Sequence, residues 1–252
     1  LFPLAMTYKR IRQVLASTTL ALASSCSVLA EQPTDFNEVG KQVSILLQNT
    51  HFSRAKWNEE LRKKFLETYL RDLDYGRMYF TQEDVDRFQK DYGTRLHEML
   101  LQKNCIVPAN DIYKTFKERV TERAEFVKSV LKDDPFDFTK DESVQMDREK
   151  LNFPKNEEER KNIWRQFIKY TVLGKFVELQ EEREKNAGKK DFVVKADSTL
   201  EREAREQIKK RMDRTLATKK THETVDENFS TFVNAITLSM DPHTDYFPPA
   251  DK

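Results

Sequence analysis

Glycine is scarce in this 252-residue chain, which contains only five, at positions 40, 76, 93, 174 and 188. Phosphate-cradling loops and dinucleotide-binding turns need clustered glycines, because the backbone must bend sharply and approach the ligand closely. The five glycines are isolated from one another. Their spacing excludes those folds, and it also argues against a β-barrel with many tight turns.

The chain also has few cysteines and almost no net charge. The chain has two cysteines, Cys26 and Cys105, and the formal net charge is +1. Residues 1–30 hold three basic residues and no acid, so residues 31–252 carry 41 basic and 43 acidic residues. The two signs are interspersed, as is typical of solvated helix faces, and no basic surface for nucleic acid emerges.

Charged residues and phenylalanine are what the chain has in abundance, with 35% charged residues and 17 phenylalanines. This balance favours long helices whose cores are narrow apolar stripes. Helical spacing of apolar residues predicts about seven amphipathic helices, near residues 35–49, 53–73, 81–100, 112–131, 157–185, 198–216 and 223–239. The expected fold is therefore an all-α, irregular multi-helix domain.

Several local signals predict where those helices begin. Ser53 and Thr81 are candidate N-caps, and Ser198 with Glu201 has the spacing of a capping box. Residues 133–155 lack a helical period, which predicts a loop with a short extended segment around Phe136 and Phe138.

The first thirty residues read as a targeting segment. Met6 opens a basic stretch, an uncharged stretch follows, and Val28-Leu29-Ala30 resembles a cleavable site. Residues 1–30 are thus predicted to be a signal peptide, with residues 1–5 upstream of the true start. A lipid anchor on Cys26 is the alternative, and after cleavage at Ala30 only Cys105 remains, which forms no internal disulfide.

No catalytic, cofactor-binding or metal-ligating residue is predicted. The four histidines lie far apart and lack a partner at metal-ligand spacing: His51, His97, His222 and His243. No serine lies within three residues of a glycine, whereas an exposed nucleophile normally sits on a Gly-assisted turn beside backbone N–H donors. The lysines that could serve as a base sit in polar, charge-mixed sequence.

Two segments are more specific. The segment 69–88 predicts a helix end, a Gly turn and a capped helix start, and the segment 240–249 predicts a helix stop before an extended exit. They resemble the junction and handover motifs of the tail-specific protease family, through Asp74, Arg77, Tyr79, Phe80 and Asp84 in the first, and Asp241, Pro242, His243, Thr244 and Tyr246 in the second. The resemblance covers residues 35–250, and implies that 31–240 is the helical N-terminal domain of such a protein and 241–252 the start of a linker.

That resemblance implies an exported, periplasmic serine endopeptidase that cuts upstream of the apolar C-terminal tails of its protein substrates. In the family a PDZ domain and a protease domain with a Ser/Lys dyad follow the helical domain. This chain, ending at Lys252, is expected to be inactive alone and to form part of the chamber wall, with its outer surface available to an envelope adaptor. The alternative is a free-standing secreted helical binding or chaperone-like protein.

Overall fold

The computed structural model describes residues 34–53, 56–132, 135–222 and 224–248, with the backbone alone for residues 216–222. Contacts divide the chain into two units, Leu1–Asp35 and Phe36–Lys252, and every helix described below belongs to the second. The predicted signal peptide and the alternative anchor at Cys26 lie outside the described residues.

Eight α-helices form the described part of the chain. They are α1 (Phe36–Thr50), α2 (Glu59–Leu73), α3 (Gln82–Phe88), α4 (Leu96–Leu101), α5 (Ile106–Val130), α6 (Glu157–Asn186), α7 (Asp197–His222) and α8 (Val225–Met240). The all-α prediction is confirmed, and no strand occurs in the described ranges.

The larger core is built from α1 to α5 together with α8. Its buried side chains are mostly aromatic and aliphatic, including Phe65, Tyr69, Phe80, Phe229 and Phe232. Tyr69 and Phe232 meet edge to face at 5.1 Å, a favoured geometry for aromatic pairs. The apolar residues that the sequence places on one face of each of these helices form this core.

A second, smaller core lies at the other end of α5. Val127 and Leu131 pack there with Ile168 and Val172 of α6 and with Leu200 of α7. The α6 and α7 helices form a hairpin, and Arg183 Nη1 fixes its linker by donating to Lys195 O (2.9 Å) and Asp197 Oδ1 (2.7 Å). Because α5 is 25 residues long, roughly 37 Å at 1.5 Å per residue, it joins both cores.

The predicted third helix is interrupted. After α3 the backbone makes a π-helical turn over Gln89–Gly93, and α4 restarts at Leu96. Glycine is a weak helix former, and Gly93 is buried against Gln89, whose Oε1 lies 2.7 Å from where a Cβ would be. The apolar period continues across the break, which is why the sequence predicted one helix where the structure has two.

The cap predictions had mixed outcomes. Thr81 caps α3 through a reciprocal box with Asp84, as its sequence indicated. The prediction for Ser53 was wrong, because α2 begins later and Asn58 caps it by accepting from Leu61 N at 2.9 Å. The box at Ser198 was also wrong: α7 begins at Asp197, and Glu201 accepts from Arg205 instead.

The segment 135–156 is a loop with turns in which Phe136 and Phe138 pack against the second core rather than pairing as a strand. Phe138 stacks on Phe176 of α6 at 5.7 Å, so burial of the two rings accounts for their alternation. None of the described helices is long and apolar enough to cross a membrane.

Candidate functional site

The first family-like segment forms the turn between α2 and α3, and Asp74 organises it. Its buried carboxylate accepts three backbone N–H groups, from Met78 (2.8 Å), Tyr79 (2.8 Å) and Phe80 (3.0 Å). Burial raises the pKa of Asp74, whereas the three donors and the nearby charge of Arg123 oppose that rise. The carboxylate thus supplies the acceptors that these three backbone N–H groups lack within the turn.

Arg77 occupies the strained position of this turn. Its φ is +46°, a left-handed conformation that costs a residue with a Cβ about 1 kcal/mol. Two contacts of the side chain offset this cost: the guanidinium stacks over the Phe153 ring at 4.9 Å and donates to the carbonyl of Leu151. Arg77 therefore holds the loop before α6 against the turn.

Asp84 connects the same turn to α5. Its carboxylate closes the cap of α3 and forms a two-point pair with Arg119, at 3.1 Å from Nε and 2.7 Å from Nη2. Burial alone would raise the pKa of Asp84, but the Arg119 pair and the bonds from Thr81 outweigh it and lower the pKa below its usual value. Bidentate arginine–carboxylate pairs of this kind fix orientation as well as distance.

Arg160 extends the connection to α6. Its side chain is almost fully buried, donates to Tyr79 O (3.0 Å) and pairs with Glu122 Oε2 (2.6 Å). Trp164, one turn along α6, donates from Nε1 to Met78 O at 2.6 Å. The Arg160 side chain is buried while its partner Glu122 of α5 stays partly exposed, and together with Trp164 these contacts make the α2–α3 turn the joint where α5 and α6 meet.

The second family-like segment folds back along α8. Asp241 ends that helix in an extended conformation (φ −161°, ψ 135°), and its Oδ1 accepts from His243 N at 2.9 Å. Asn234 then binds Tyr246 at two points, accepting from its N at 2.6 Å and donating to its O at 3.1 Å. The amide side chain thus pairs with an extended backbone as a neighbouring strand would.

His51 completes this arrangement from the end of α1. Its Nε2 lies 3.0 Å from Thr244 Oγ1 and its Nδ1 lies 2.8 Å from Ser53 Oγ. The exit segment is consequently held by both α1 and α8. Nothing in the sequence pointed to Asn234, and His51 was considered there only as a metal ligand, because each contact joins residues brought together only by folding.

The other histidines show no ligand arrangement. His97 contacts Gln48 Oε1 (3.3 Å) and the Trp57 ring, and His243 is exposed on the exit segment. The side chain of His222 is outside the described part. Within the described residues no group of three His, Cys, Asp or Glu side chains could hold a metal ion.

One small cavity brings together a serine and a lysine. Ser143 and Lys169 both line a space of about 80 Å³ beside the 135–156 loop. Lys169 is bound to Glu142, whose pKa falls to about 2 because Arg165 and Lys169 both donate to it. An ammonium paired with an ionised carboxylate cannot act as a general base, so this pair is not poised for catalysis. The prediction that the whole chain has no catalytic residue stays a prediction.

A larger groove of about 430 Å³ was not foreseen from the sequence. It lies where α5, α6 and α7 meet, and the Tyr79 ring lies at its lining beside Arg123. Arg123 donates to Tyr79 Oη at 2.7 Å. The residues that line the groove are far apart in the chain. In the sequence, their apolar members look the same as apolar residues that are buried in the core.

These features define a helical domain in which the specific sequence motifs serve as joints between helices. The chain belongs to the family of the tail-specific protease N-terminal domain, whose model matches residues 43–250. The family resemblance inferred from the two motifs is therefore confirmed.

A curated relative gives the same assignment. The chain is 26% identical over 262 residues to a protein of Haemophilus influenzae named "Tail-specific protease". The alignment covers 98% of this chain and 34% of the relative. The chain thus spans about a third of the relative's length.

Proposed function

We propose that this chain is the structural N-terminal part of an exported serine endopeptidase that processes the C-terminal tails of other proteins. The observation that carries the proposal is the family membership of residues 43–250 together with the use of both motifs as helix joints. Asp74, Asp84 and Asp241 direct their carboxylates at the chain's own backbone and side chains. A wall for the proteolytic chamber needs such rigid joints between helices.

Catalysis would then belong to another part of the parent protein. That part corresponds to the two thirds of the Haemophilus influenzae relative that this chain does not match. There a PDZ domain would capture an apolar tail by strand addition, and a Ser/Lys dyad would cut upstream of it. The clamp of Asn234 on Tyr246 would set the direction in which the chain leaves the helical domain.

The activity is tested by comparing two proteins on the same substrate. The complete gene product and the 252-residue chain are each incubated with a peptide that ends in apolar residues and a free carboxylate. Cleavage by the complete product and none by the chain is expected. An amidated peptide is the control for tail recognition.

Hydrolysis by the 252-residue chain would contradict the structural role. A complete gene product that carries no PDZ or protease domain and cleaves nothing would instead favour the free-standing binding protein. Mass spectrometry of the peptide reports cleavage in both cases, and the coding sequence reports the domain content.

We further propose export to the periplasm, directed by residues 1–30. The support is the charge and apolar pattern around Met6 and Ala30. Mass spectrometry of the product from an envelope fraction should find Glu31 as the first residue. An acylated Cys26 at the N-terminus would favour the lipid anchor, and uncleaved protein in the cytoplasm would contradict export.

A further inference from the structure

The groove at the meeting point of α5, α6 and α7, here called the α5–α7 groove, has an apolar floor. The side chains that form the floor are Val120, Ala124, Val127, Leu131, Phe167 and Met212. Four of them remain partly accessible, while Val127 and Leu131 are buried at the base. Its volume of about 430 Å³ falls within the range of binding pockets, which is roughly 300–1,000 Å³.

The rim of the α5–α7 groove is basic. Its lining includes Arg123, Lys128, Lys209 and Arg211, against one acid, Asp213. The surrounding segment 209–215 of α7 has four basic residues and one acidic residue, in a chain whose net charge is only +1. An occupant that complements this rim must be acidic.

Three of the rim cations, Lys128, Lys209 and Arg211, are weakly engaged by the domain itself, whereas Arg123 is bonded to Tyr79 Oη. Asp213 is shared between Lys128 of α5 (3.6 Å) and Lys209 of α7 (3.1 Å), and all three side chains are substantially exposed. Exposed pairs of this type contribute about 0–1 kcal/mol. The guanidinium of Arg211 has no hydrogen-bond or ion-pair partner among the described residues. Carboxylates of a partner could therefore pair with these cations at little expense to the fold.

The walls of the groove favour a helical occupant over an extended one. All three walls are α-helices, so their backbone groups are bonded internally. The hydroxyls of Thr171 and Thr215 donate to carbonyls of their own helices, at 2.7 and 3.1 Å. An extended peptide would leave its N–H and C=O groups without partners on the apolar floor, whereas a helix satisfies its own.

The length of the groove agrees with that choice. Its α5 wall runs from Val120 to Leu131, roughly 16 Å at 1.5 Å per residue, which corresponds to about three turns of a docked helix. The apolar floor gives a nucleic-acid backbone nothing to bind, since phosphates need cations and donors along their whole path.

We propose that the α5–α7 groove binds an acidic amphipathic helix of a separate partner protein. The helix lays one row of apolar side chains on the floor between Val120 and Leu131, and its flanking carboxylates pair with Lys128, Lys209 and Arg211. The inference rests on the structural role proposed above for the domain and identifies where a separate protein would dock on it.

The test uses the 252-residue chain and designed peptides with blocked ends. The acidic probe has about four helical turns, with leucine recurring every three to four residues, glutamate beside the leucines and alanine elsewhere. A second peptide replaces every glutamate by lysine, and a third has the acidic composition in scrambled order. Binding is measured by isothermal titration calorimetry.

The acidic probe should bind about tenfold more tightly than either of the other two peptides, because only it matches both floor and rim. Arg211→Glu should weaken its binding about tenfold, since the change removes one attraction and adds a repulsion. Arg202→Glu is the matched control, an exposed arginine on the same helix outside the groove, and should leave binding unchanged.

Hydrogen exchange of the unmodified chain provides a measurement that does not depend on a variant. The acidic probe should protect amides in 120–131 and 209–215. Absence of saturable binding, equal binding of the acidic and lysine peptides, or protection confined to other helices would overturn the proposal.

A lipid surface is the competing occupant, and vesicles of phosphatidylglycerol test it. Vesicle binding that Arg211→Glu abolishes, without binding of the acidic peptide, would also overturn the proposal. None of these measurements involves hydrolysis, so they separate failure of the groove from failure of the proposed protease.

Discussion

Asp74 shows how much one buried carboxylate can hold. It accepts from three successive amides of the α2–α3 turn, and each of its two oxygens is used. A buried donor that loses its acceptor costs about 1–3 kcal/mol, so the contribution of this side chain greatly exceeds that of a surface acid.

Asp74→Asn should lower the free energy of unfolding by about 2–3 kcal/mol, because the amide nitrogen cannot accept from the N–H groups that Oδ2 now satisfies. Urea denaturation measures the change. Asp72→Asn is the control, since Asp72 is exposed and, within the described residues, pairs with its neighbour Arg71 alone. Equal effects of the two substitutions would refute the assigned role.

Gly40 is required by a close approach between helices. A Cβ at this position would collide with Cys105 Sγ and lie 3.3 Å from Cys105 Cβ, whereas a Cβ at Gly174 in α6 would meet nothing within 4 Å. Both glycines lie in helices, so alanine improves helix propensity at both positions. A difference between the two substitutions therefore reports the packing at Gly40.

Gly40→Ala should destabilise the domain by about 1–3 kcal/mol, the usual range for overpacking. Gly174→Ala should stabilise it by about 0.5–1 kcal/mol, because alanine is the better helix residue. Thermal unfolding followed by circular dichroism reports both. Combining Gly40→Ala with Cys105→Ala should recover part of the loss, and a purely additive result would mean that the contact with Cys105 is not the cause.

At the scale of elements, the exit segment depends on α8. Asn234 makes both backbone hydrogen bonds to Tyr246, and the Tyr246 ring meets Phe229 edge to face at 6.0 Å. Thr244 also meets His51 Nε2 at 3.0 Å, and because residues 241–248 are exposed or half-buried, we expect the stability of the segment to be local rather than global.

Asn234→Ala should therefore increase hydrogen exchange at residues 244–248 by about tenfold while changing the global unfolding free energy little. Mass spectrometry of exchanged peptides measures the first effect, and urea denaturation measures the second. Thr231→Ala is the control on the same helix, because the Thr231 hydroxyl donates to Glu227 O within α8 rather than to the exit segment. Unchanged exchange near Tyr246 would show that the clamp does not hold the segment.

The elements also show which local signals can be trusted. Thr81 was recognised as a cap because its partner Asp84 is three residues away, within the reach of a local motif. Ser53 has the same chemistry but a different outcome: its hydroxyl lies 2.8 Å from His51 Nδ1, and α2 begins at Glu59 after the cap Asn58. A capping side chain without a reciprocal partner three residues later was the weaker signal.

At the scale of the whole molecule, ionised carboxylates join distant segments. Glu142 ties the 135–156 loop to α6 through Arg165 and Lys169, and these donors lower its pKa from 4.5 to about 2. Asp84 ties α3 to α5, and its pKa is lowered as well. A depressed folded pKa gives stability that is present above the unfolded pKa and is lost as the pH falls through the folded value.

The domain should accordingly lose stability between about pH 4.5 and pH 2. Glu142→Gln should make the decline shallower, since the variant has no proton to take up at this site. Urea midpoints across this pH window measure the effect. Glu158→Gln, an exposed residue of the first turn of α6, is the control and should follow the unmodified chain. Identical profiles for both variants would exclude Glu142 as a contributor.

The sequence by itself determined the all-α class and the approximate positions of most helices, because an apolar stripe with a 3.6-residue period marks the face that a helix buries. It also determined the family, since the residues around Asp74 and Asp241 are contiguous and distinctive. Only the tertiary structure decided that Arg160 would bind Tyr79 O, that Asn234 would clamp Tyr246, and that α5 and α7 would leave a basic-rimmed groove between them. The two contacts join residues 81 and 12 positions apart, and the position of one helix against another depends on the packing of the whole core rather than on any local pattern.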